Sequence, residues 1–317
     1  MKKISITSSC YNEEGNLREL YDRLRAVLAK FPQYDYEIII ADNCSTDGSR
    51  EVLRQIAAED TKFKVIFNAN NFGHIRSPYN AFLSATGDAV VTMCSDLQEP
   101  PEVVEEFIKK WEEGYEVVVG LRSGTKENIF MASVRWLYYK LLSSAADSQK
   151  ILHAFTGFGL YGRNFCNAIK KYHEPYPYFR GLITEIGFSR AEVFFVQQKR
   201  KSGRTKNNFF TLYDIAMTGF VNHSKLPLRM AVYFGFFTGF VSFCIACSYL
   251  IAKLMYWNQF QLGMAPIMVG VFFFMAVQLM FIGIIGEYIG AIWTQVKDRP
   301  LVIEQERINF DKQDETE

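Results

Sequence analysis

Three kinds of side chain in this sequence are spaced for phosphate chemistry. Asp96 stands in Met93-Cys94-Ser95-Asp96-Leu97-Gln98-Glu99-Pro100-Pro101, directly after a Val-rich run at residues 89–93. A carboxylate at a strand end can hold Mg2+ or Mn2+; Mg2+ needs only one or two carboxylates when substrate phosphates complete its shell. Such an ion stabilises a departing diphosphate as a Lewis acid. The same carboxylate can also cap the helix that Pro100-Pro101 introduces. Asp42 follows Glu37-Ile38-Ile39-Ile40-Ala41 and precedes Ser45-Thr46-Asp47-Gly48. There it can accept hydrogen bonds from a nucleobase or ribose, or close a turn and, with Asp47, cap a helix. Arg122, Arg135, Arg200 and Lys206 lie in or near loops. A guanidinium matches phosphate oxygens in bidentate fashion. The basic cluster at residues 200–206 also suits anionic lipid headgroups.

The elements that must position these residues alternate along the first half of the chain. Residues 4–7, 37–41, 63–67, 89–93 and 116–121 read as strands. Residues 14–30 have helical spacing, with Leu17, Leu20, Tyr21, Leu24 and Leu28 on one face. Further helices are expected at 46–56, with Thr46 or Asp47 as cap, and at 75–85, 101–113 and 129–146. Strands alternating with helices imply an α/β fold with a mostly parallel sheet covered on both faces. Ligands bind such sheets beyond the carboxyl ends of the strands. The residues to inspect are therefore Tyr11-Asn12-Glu13-Glu14, Asp42-Asn43, Ser95-Asp96-Leu97-Gln98 and Arg122. Residues 155–161 read as glycine-rich turns, 192–197 as a short strand and 198–208 as a basic loop.

The second half changes character. Phe209, Leu212, Tyr213, Ala216, Met217 and Phe220 recur at helical spacing beside the basic loop, as in an interfacial helix or an ordinary surface helix. Residues 230–252 and 262–286 carry no charge, and each is long enough to cross a hydrocarbon core of about 30 Å. Lys225, Arg229, Lys297 and Arg299 flank the outer ends, and only Lys253 lies in the link. The positive-inside bias therefore places both termini in the cytoplasm. Tyr249, Tyr256, Trp257, Tyr288 and Trp293 fall where interfacial aromatics belong. Residues 1–7 lack a signal peptide's apolar stretch.

Several function classes are excluded. The formal net charge is +1 and no basic stripe or zinc-finger spacing appears, so nucleic acid is not an expected partner. The first strand runs into Ser8-Ser9-Cys10-Tyr11-Asn12-Glu13, with no dinucleotide-binding glycines, and no Walker loop exists. His74, His153, His173 and His223 are too scattered for a metal site or triad. The six cysteines have no framework spacing, and Cys244 and Cys247 read as small apolar residues within an apolar run.

Read together, the motifs are Tyr11-Asn12-Glu13-Glu14, Asp42-Asn43-Cys44-Ser45-Thr46-Asp47-Gly48, Asn71-Phe72-Gly73-His74, Asp96-Leu97-Gln98-Glu99-Pro100-Pro101-Glu102, Arg200-X-X-Gly203-X-Thr205-Lys206, Pro227-Leu228-Arg229, and Gly286-Glu287-Tyr288-Ile289-Gly290 followed by Lys297-Asp298-Arg299-Pro300. In this order they resemble family 2 glycosyltransferases of the polyprenyl-phosphate type, such as dolichol-phosphate mannose synthases and bactoprenol glucosyltransferases. The resemblance implies a GT-A (Rossmann-like) catalytic domain at 1–208, a juxtamembrane amphipathic helix at 209–228, a transmembrane helical hairpin within 229–292 and a cytoplasmic tail at 293–317. It implies inverting transfer from a nucleotide-sugar, UDP-glucose by the nearest likeness, to a polyprenyl phosphate.

By the same resemblance, Glu13 and Asp42, with Tyr11, contact the nucleotide, and Arg200 contacts the donor diphosphate. Asp96 and Gln98 hold metal and diphosphate, the metal being Mg2+ or Mn2+. Arg122 and Arg135 face the acceptor phosphate, with Thr205 and Lys206 nearby, and a homo-oligomer is expected. The chain departs from the family pattern at Cys94, where the first Asp of Asp-X-Asp is usual, at Asn43 for Asp, at Cys44 for Gly and at Ser9 for Pro. No Asp lies near residues 157–162 to act as a base. Three other readings remain: another sugar such as mannose, N-acetylglucosamine or aminoarabinose; a processive synthase, whose Gln-X-X-Arg-Trp would need Gln where Ala132 stands; and a non-catalytic nucleotide-binding membrane scaffold.

Overall fold

The computed structural model describes residues 1–123, 155–172, 179–198, 226–256, 264–297 and 299–310. The first half alternates as its periodicity predicts: β1 (Lys3–Cys10), α1 (Glu14–Leu28), β2 (Asp35–Asp42), α2 (Ser49–Glu59), β3 (Phe63–Asn68), α3 (Gly73–Leu83) and β4 (Ala89–Thr92). A 3-10 turn at Pro101–Val103 leads into α4 (Val104–Glu112), and β5 (Val117–Ser123) follows. Strands of period two bury both faces. Ile38 and Ile40 pack with Leu17, Leu20, Leu24, Leu53 and Ile56 on one side of the sheet. Ile39 and Ala41 pack with Tyr79 and Phe82 on the other. A sheet covered on both sides explains why these strands are almost continuously apolar.

β1 pairs in parallel with β2 and with β4, and β2 with β3. The rest of the sheet is mixed. Residues expected to be glycine turns form β6 (Phe155–Gly162), antiparallel to both β4 and β5. Gly157 there has the positive φ (109) that favours glycine, whereas Gly159 is small for a packing reason: a Cβ there would stand 2.5 Å from the Val118 carbonyl oxygen. After α5 (Arg163–Ile169) and α6 (Phe179–Ile186), β7 (Arg190–Val196) pairs in parallel with β5. Phe179 on α6 meets Phe82 and Tyr161 edge to face, which seats that helix on the sheet.

The residues after the long helices do more than form a tail. β8 (Glu304–Ile308) pairs antiparallel with β3 and completes the order β7-β5-β6-β4-β1-β2-β3-β8. Side chains secure it: Arg54 makes a bidentate pair with Glu306 at 2.7 and 2.6 Å, and Asn80 donates to Glu304 at 2.7 Å. Asn309 turns the chain in the left-handed region (φ 62) and donates from Nδ2 to the carbonyls of Ala57 and Phe63 at 2.8 and 2.9 Å. No periodicity announces this strand, because its residues, Glu-Gln-Glu-Arg-Ile, are polar up to Ile308 and belong to an edge.

The two long helices form a separate compact unit. They are α7 (Leu226–Met255) and α8 (Met264–Val296), and Phe234 and Phe281 meet across them with ring centroids 6.0 Å apart. Within α8, Gly270–Val296 is long and apolar enough to cross a membrane. The corresponding apolar stretch of α7 among the described residues is the shorter Met230–Ile245. In α7 the hydroxyls of Thr238, Ser242 and Ser248 donate back to the carbonyls of Phe234, Thr238 and Cys244. Their polar groups are thus satisfied inside the helix, and the outer surface stays apolar.

Replacing Asn309 by Ala removes two short side-chain hydrogen bonds and strains a left-handed position. It should lower stability by about 1–3 kcal/mol. Denaturant unfolding of full-length protein in detergent measures this, and Asn309→Gly should recover only the backbone part.

Candidate active site

The strand directions decide which residues can meet. Parallel pairing aligns the carboxyl ends of β1, β2 and β4, with Cys10 opposite Asp42. Two successive antiparallel pairings, β4 with β6 and β6 with β5, return β5 to the β4 direction, and β7 follows it. The strand ends and loops that carry Tyr11, Glu13, Asp42, Asp96, Gln98 and Arg122 therefore lie on one edge of the sheet, where ligands bind in folds of this kind. Arg135, Arg200, Thr205 and Lys206 lie outside the described residues, as do His153, His173, His223 and the helices expected at 129–146 and 209–222.

Each loop turns through one left-handed residue: Asn12 (φ 58), Cys44 (φ 64) and Leu97 (φ 58). Such backbone costs on the order of 1 kcal/mol for a residue with a side chain, so surrounding bonds must hold it. They do. Asn12 accepts from Thr46 N at 2.8 Å and its own N–H donates to Ser45 Oγ at 3.0 Å. Glu13 N donates to Ser49 Oγ at 3.0 Å, and Gly48 N donates to Glu14 at 3.1 Å. The loops after β1 and β2 are zipped together by side chains that the sequence presents as two separate motifs. The loop after β4 joins them through Ser95, whose hydroxyl donates to Ser9 O at 2.9 Å.

Asp42 is completely buried. Its carboxylate accepts from Arg50 Nε at 2.8 Å and from Ser45 N at 3.2 and 3.3 Å, and Cys10 Sγ lies 3.8 Å away. Here it closes the turn and anchors Arg50, which also donates to Asn68 O at 2.9 Å and to Gln305 on β8 at 3.2 Å. Nothing along the chain singles out Arg50, which sits eight residues past Asp42 on α2. The Cys10 thiol is pushed well up, first by burial and then by the charge of Asp42, so it remains a neutral thiol. Glu13 is also buried and accepts from Asn16. Tyr11 is half-buried at the same edge. The cap expected at Thr46 or Asp47 moves by one residue: α2 starts from Gly48, and Asp47 instead accepts from Ser49 N at 3.0 Å.

Asn43 uses chemistry that an Asp lacks. Its Nδ2 donates to Asn71 Oδ1 at 2.8 Å and to Gly73 O at 3.2 Å, while its Oδ1 accepts from Phe72 N at 2.9 Å. That holds the Asn71-Phe72-Gly73 loop beside β2. Cys44 stands where the backbone is left-handed, which accounts for the glycine usual at that position.

Asp96, half-buried, accepts from Gln98 N at 3.1 Å across the left-handed Leu97. Among the described residues no three His, Cys, Asp or Glu side chains gather to hold a metal. One strand-end carboxylate with an exposed Cys94 beside it fits a hard divalent cation only if phosphate and water supply the other ligands, which is how Mg2+ is commonly held.

Two neighbours of these residues have partners that no motif along the chain points to. Arg122 donates to Gln197 Oε1 at 2.7 Å, and Gln197 Nε2 donates to Gln98 Oε1 at 3.0 Å. Gln197 thus links the end of β5 to the loop after β4; the alternation through β7 would have pointed to that end. Glu99, 3% exposed, accepts from Cys94 N and Thr156 Oγ1, each at 2.7 Å. Burial raises its carboxyl to about 7, with the charge of Asp96 adding to the shift against the two hydrogen bonds.

The family model for glycosyl transferase family 2 matches residues 5–169, and the chain belongs to that family. It is therefore a glycosyltransferase with a mixed α/β, Rossmann-like GT-A domain, of a kind that takes a nucleotide-sugar. Among relatives it is 35% identical over 303 residues to the uncharacterized glycosyltransferase YkcC of Bacillus subtilis, covering 95% of this chain and 93% of that one. It is 30% identical over 303 residues to the bactoprenol glucosyl transferase of Shigella phage SfII, covering 95% and 97%. A solved structure with similarity is glucosyl-3-phosphoglycerate synthase from Mycobacterium tuberculosis with Mn2+, UDP-glucose and phosphoglyceric acid, at TM-score 0.47 and 18% identity over 68% of this chain and 76% of that chain.

Glu99 gives a signed pH prediction. Its folded value, about 7, lies above the 4.5 of an ordinary Glu. The native state therefore binds the extra proton, and stability falls as pH rises between those values. The total loss is on the order of 3 kcal/mol. Melting temperatures from pH 5 to 8 should drop more steeply for the wild type than for Glu99→Gln, whose side chain does not ionise.

Proposed function

We propose that the protein transfers glucose from UDP-glucose to a polyprenyl phosphate, undecaprenyl phosphate in bacteria, at the cytoplasmic face of a membrane, with inversion. The observation that carries this reading is a likeness extending along 95% of the chain to bactoprenol glucosyl transferases, through the apolar helices as well as the sheet domain. A shared catalytic domain alone would speak only for sugar transfer. A shared membrane segment speaks for an acceptor that lives in the bilayer. On this reading both apolar stretches, residues 230–252 and 262–286, cross the membrane as a hairpin with both termini cytoplasmic, and copies of the chain associate.

The chemistry needs no strong base. A phosphate monoester has its second pKa near ~6 and is mostly dianionic at neutral pH. One of its oxygens attacks the anomeric carbon as the bond from that carbon to the diphosphate breaks. The electron pair leaves with UDP, and no proton has to be placed. What the protein must do is hold two groups of like charge in line. Arg122 would face the acceptor phosphate, with Arg135, Thr205 and Lys206. Arg200, Tyr11, Glu13 and Asp42 serve the nucleotide, the buried Asp42 and Glu13 by shaping the loops that receive it. Gln98 would meet the donor diphosphate. Asp96 would hold Mg2+ or Mn2+, which when bound neutralises charge on the leaving group. The missing Asp near residues 157–162 suits a nucleophile that arrives already ionised.

Membranes containing the protein, incubated with labelled UDP-glucose in parallel with other labelled nucleotide-sugars, should move label into an organic-extractable lipid from UDP-glucose alone. Label in lipid from a different donor reassigns the sugar. Label that remains water-soluble with every donor removes the lipid acceptor and favours a scaffold. Asp96→Ala should cut transfer by about a hundredfold or more while the protein stays folded; retained activity would take Asp96 out of the metal role.

A further inference from the structure

The side-chain chain from Arg122 through Gln197 to Gln98 has a direction, and the direction has a chemical consequence. A guanidinium only donates hydrogen bonds. The Gln197 atom facing Arg122 at 2.7 Å must therefore be its carbonyl oxygen. That orientation turns the Gln197 NH2 toward Gln98, 3.0 Å away, so the Gln98 atom facing it must be the carbonyl oxygen. Arg122 thus sets the polarity of two amides in succession. Among the described residues no acceptor is bonded to Gln98 Nε2, so the polarity leaves Gln98 with two N–H donors to offer.

The backbone of Gln98 is fixed as firmly as its side chain. Its N–H donates to Asp96 at 3.1 Å, and its carbonyl accepts from Gln198 N at 3.0 Å. Leu97, left-handed and buried, sets the path between them. Gln98 is held by the loop on one side and by Gln197-Gln198, at the end of β7, on the other. An amide with this restraint has lost its freedom to flip end for end.

We infer that Gln197 is a positioning residue, which orients the Gln98 amide so that its NH2, not its oxygen, is presented to the diphosphate of the sugar donor. This rests on the reading of Gln98 as a diphosphate contact. A flipped amide would set a carbonyl oxygen against phosphate oxygens and repel the donor. Because Arg122 starts the relay, the residue expected at the acceptor phosphate also sets the chemistry offered to the donor.

The test uses two substitutions with opposite chemical meaning. Gln197→Glu keeps the shape and strengthens the contact with Arg122, but a carboxylate cannot donate to Gln98. The Gln98 amide must then turn its NH2 toward Glu and its oxygen toward the donor. Gln197→Ala removes the restraint without reversing it. UDP affinity is measured by calorimetry in Mg2+ with full-length protein in detergent, beside melting temperatures. Expected is a loss of about tenfold or more for Gln197→Glu and Gln98→Ala, and about threefold for Gln197→Ala. In turnover with UDP-glucose the Gln197→Glu change should appear in the donor KM, with kcat little altered. A merely structural role predicts the reverse order, since the isosteric variant disturbs packing least. If Gln197→Glu binds UDP as well as Gln197→Ala or better, while Gln98→Ala is weakened, the relay is overturned and the Gln98 contact stands. If Gln98→Ala binds UDP like the wild type, the contact itself is wrong and the relay falls with it.

Discussion

Parallel strands cannot be joined by a hairpin; each must leave the sheet, cross one face and return. The rest of the molecule depends on that constraint. Because β1, β2 and β4 run in one direction, the loops that follow them open along a single edge. Residues more than fifty apart in sequence, such as Asp42 and Asp96, are thereby placed along one side of the sheet. The antiparallel β6 preserves this geometry by being crossed twice, so that β5 and β7 deliver Arg122 and Gln197 to the same edge.

An edge built from loops must be stiffened, since a loop has no ladder of its own. Here polar side chains do that work. Three left-handed residues redirect the chain, and Asn12, Ser45, Ser49, Glu14 and Ser95 bind one loop to the next. The buried Asp42 extends the network through Arg50 to Gln305, on the strand that returns after the long helices. The far C-terminal part of the chain therefore supports the same loops as its first fifty residues.

This stiffness bears on the reaction we propose, between two phosphate-bearing substrates. Both are anionic, and the energetic problem is to hold them close before any bond changes. Preorganised donors solve it better than flexible ones, because their orientation does not have to be found at the moment of reaction. A rigid loop after β4, with Gln98 bonded both to Asp96 and to the end of β7, is such an arrangement. Glu99, buried beneath it, ties Cys94 and Thr156 to the same loop.

The alternation of apolar runs with helical periods determined the α/β layering. The reason is that burial on both faces of a sheet leaves continuous Ile and Val in a strand such as β2 and a single Leu stripe in α1. The uncharged runs at 230–252 and 262–286 likewise declared apolar helices, because length and lack of charge are written locally. The motifs after the strands named Asp96, Gln98, Asp42 and Arg122 as residues of one edge. Tertiary structure alone decided the rest. β8 is polar and short, and only the unpaired edge of β3 makes it a strand. Gly157 of β6 keeps the positive φ (109) that favours glycine, whereas the closeness of Val118 shows Gly159 to be a packing residue. Alternation along β7 points to the strand end where Gln197 lies, but nothing along the chain gives Gln197, Arg50 or Glu99 its partner. Each acquires its role from a partner on another element: Gln197 from Arg122 and Gln98, Arg50 from Asp42, the Asn68 carbonyl and Gln305, and Glu99 from Thr156. A hydrogen bond is a fact about distance in space, and sequence spacing encodes that distance only within a single helix or strand.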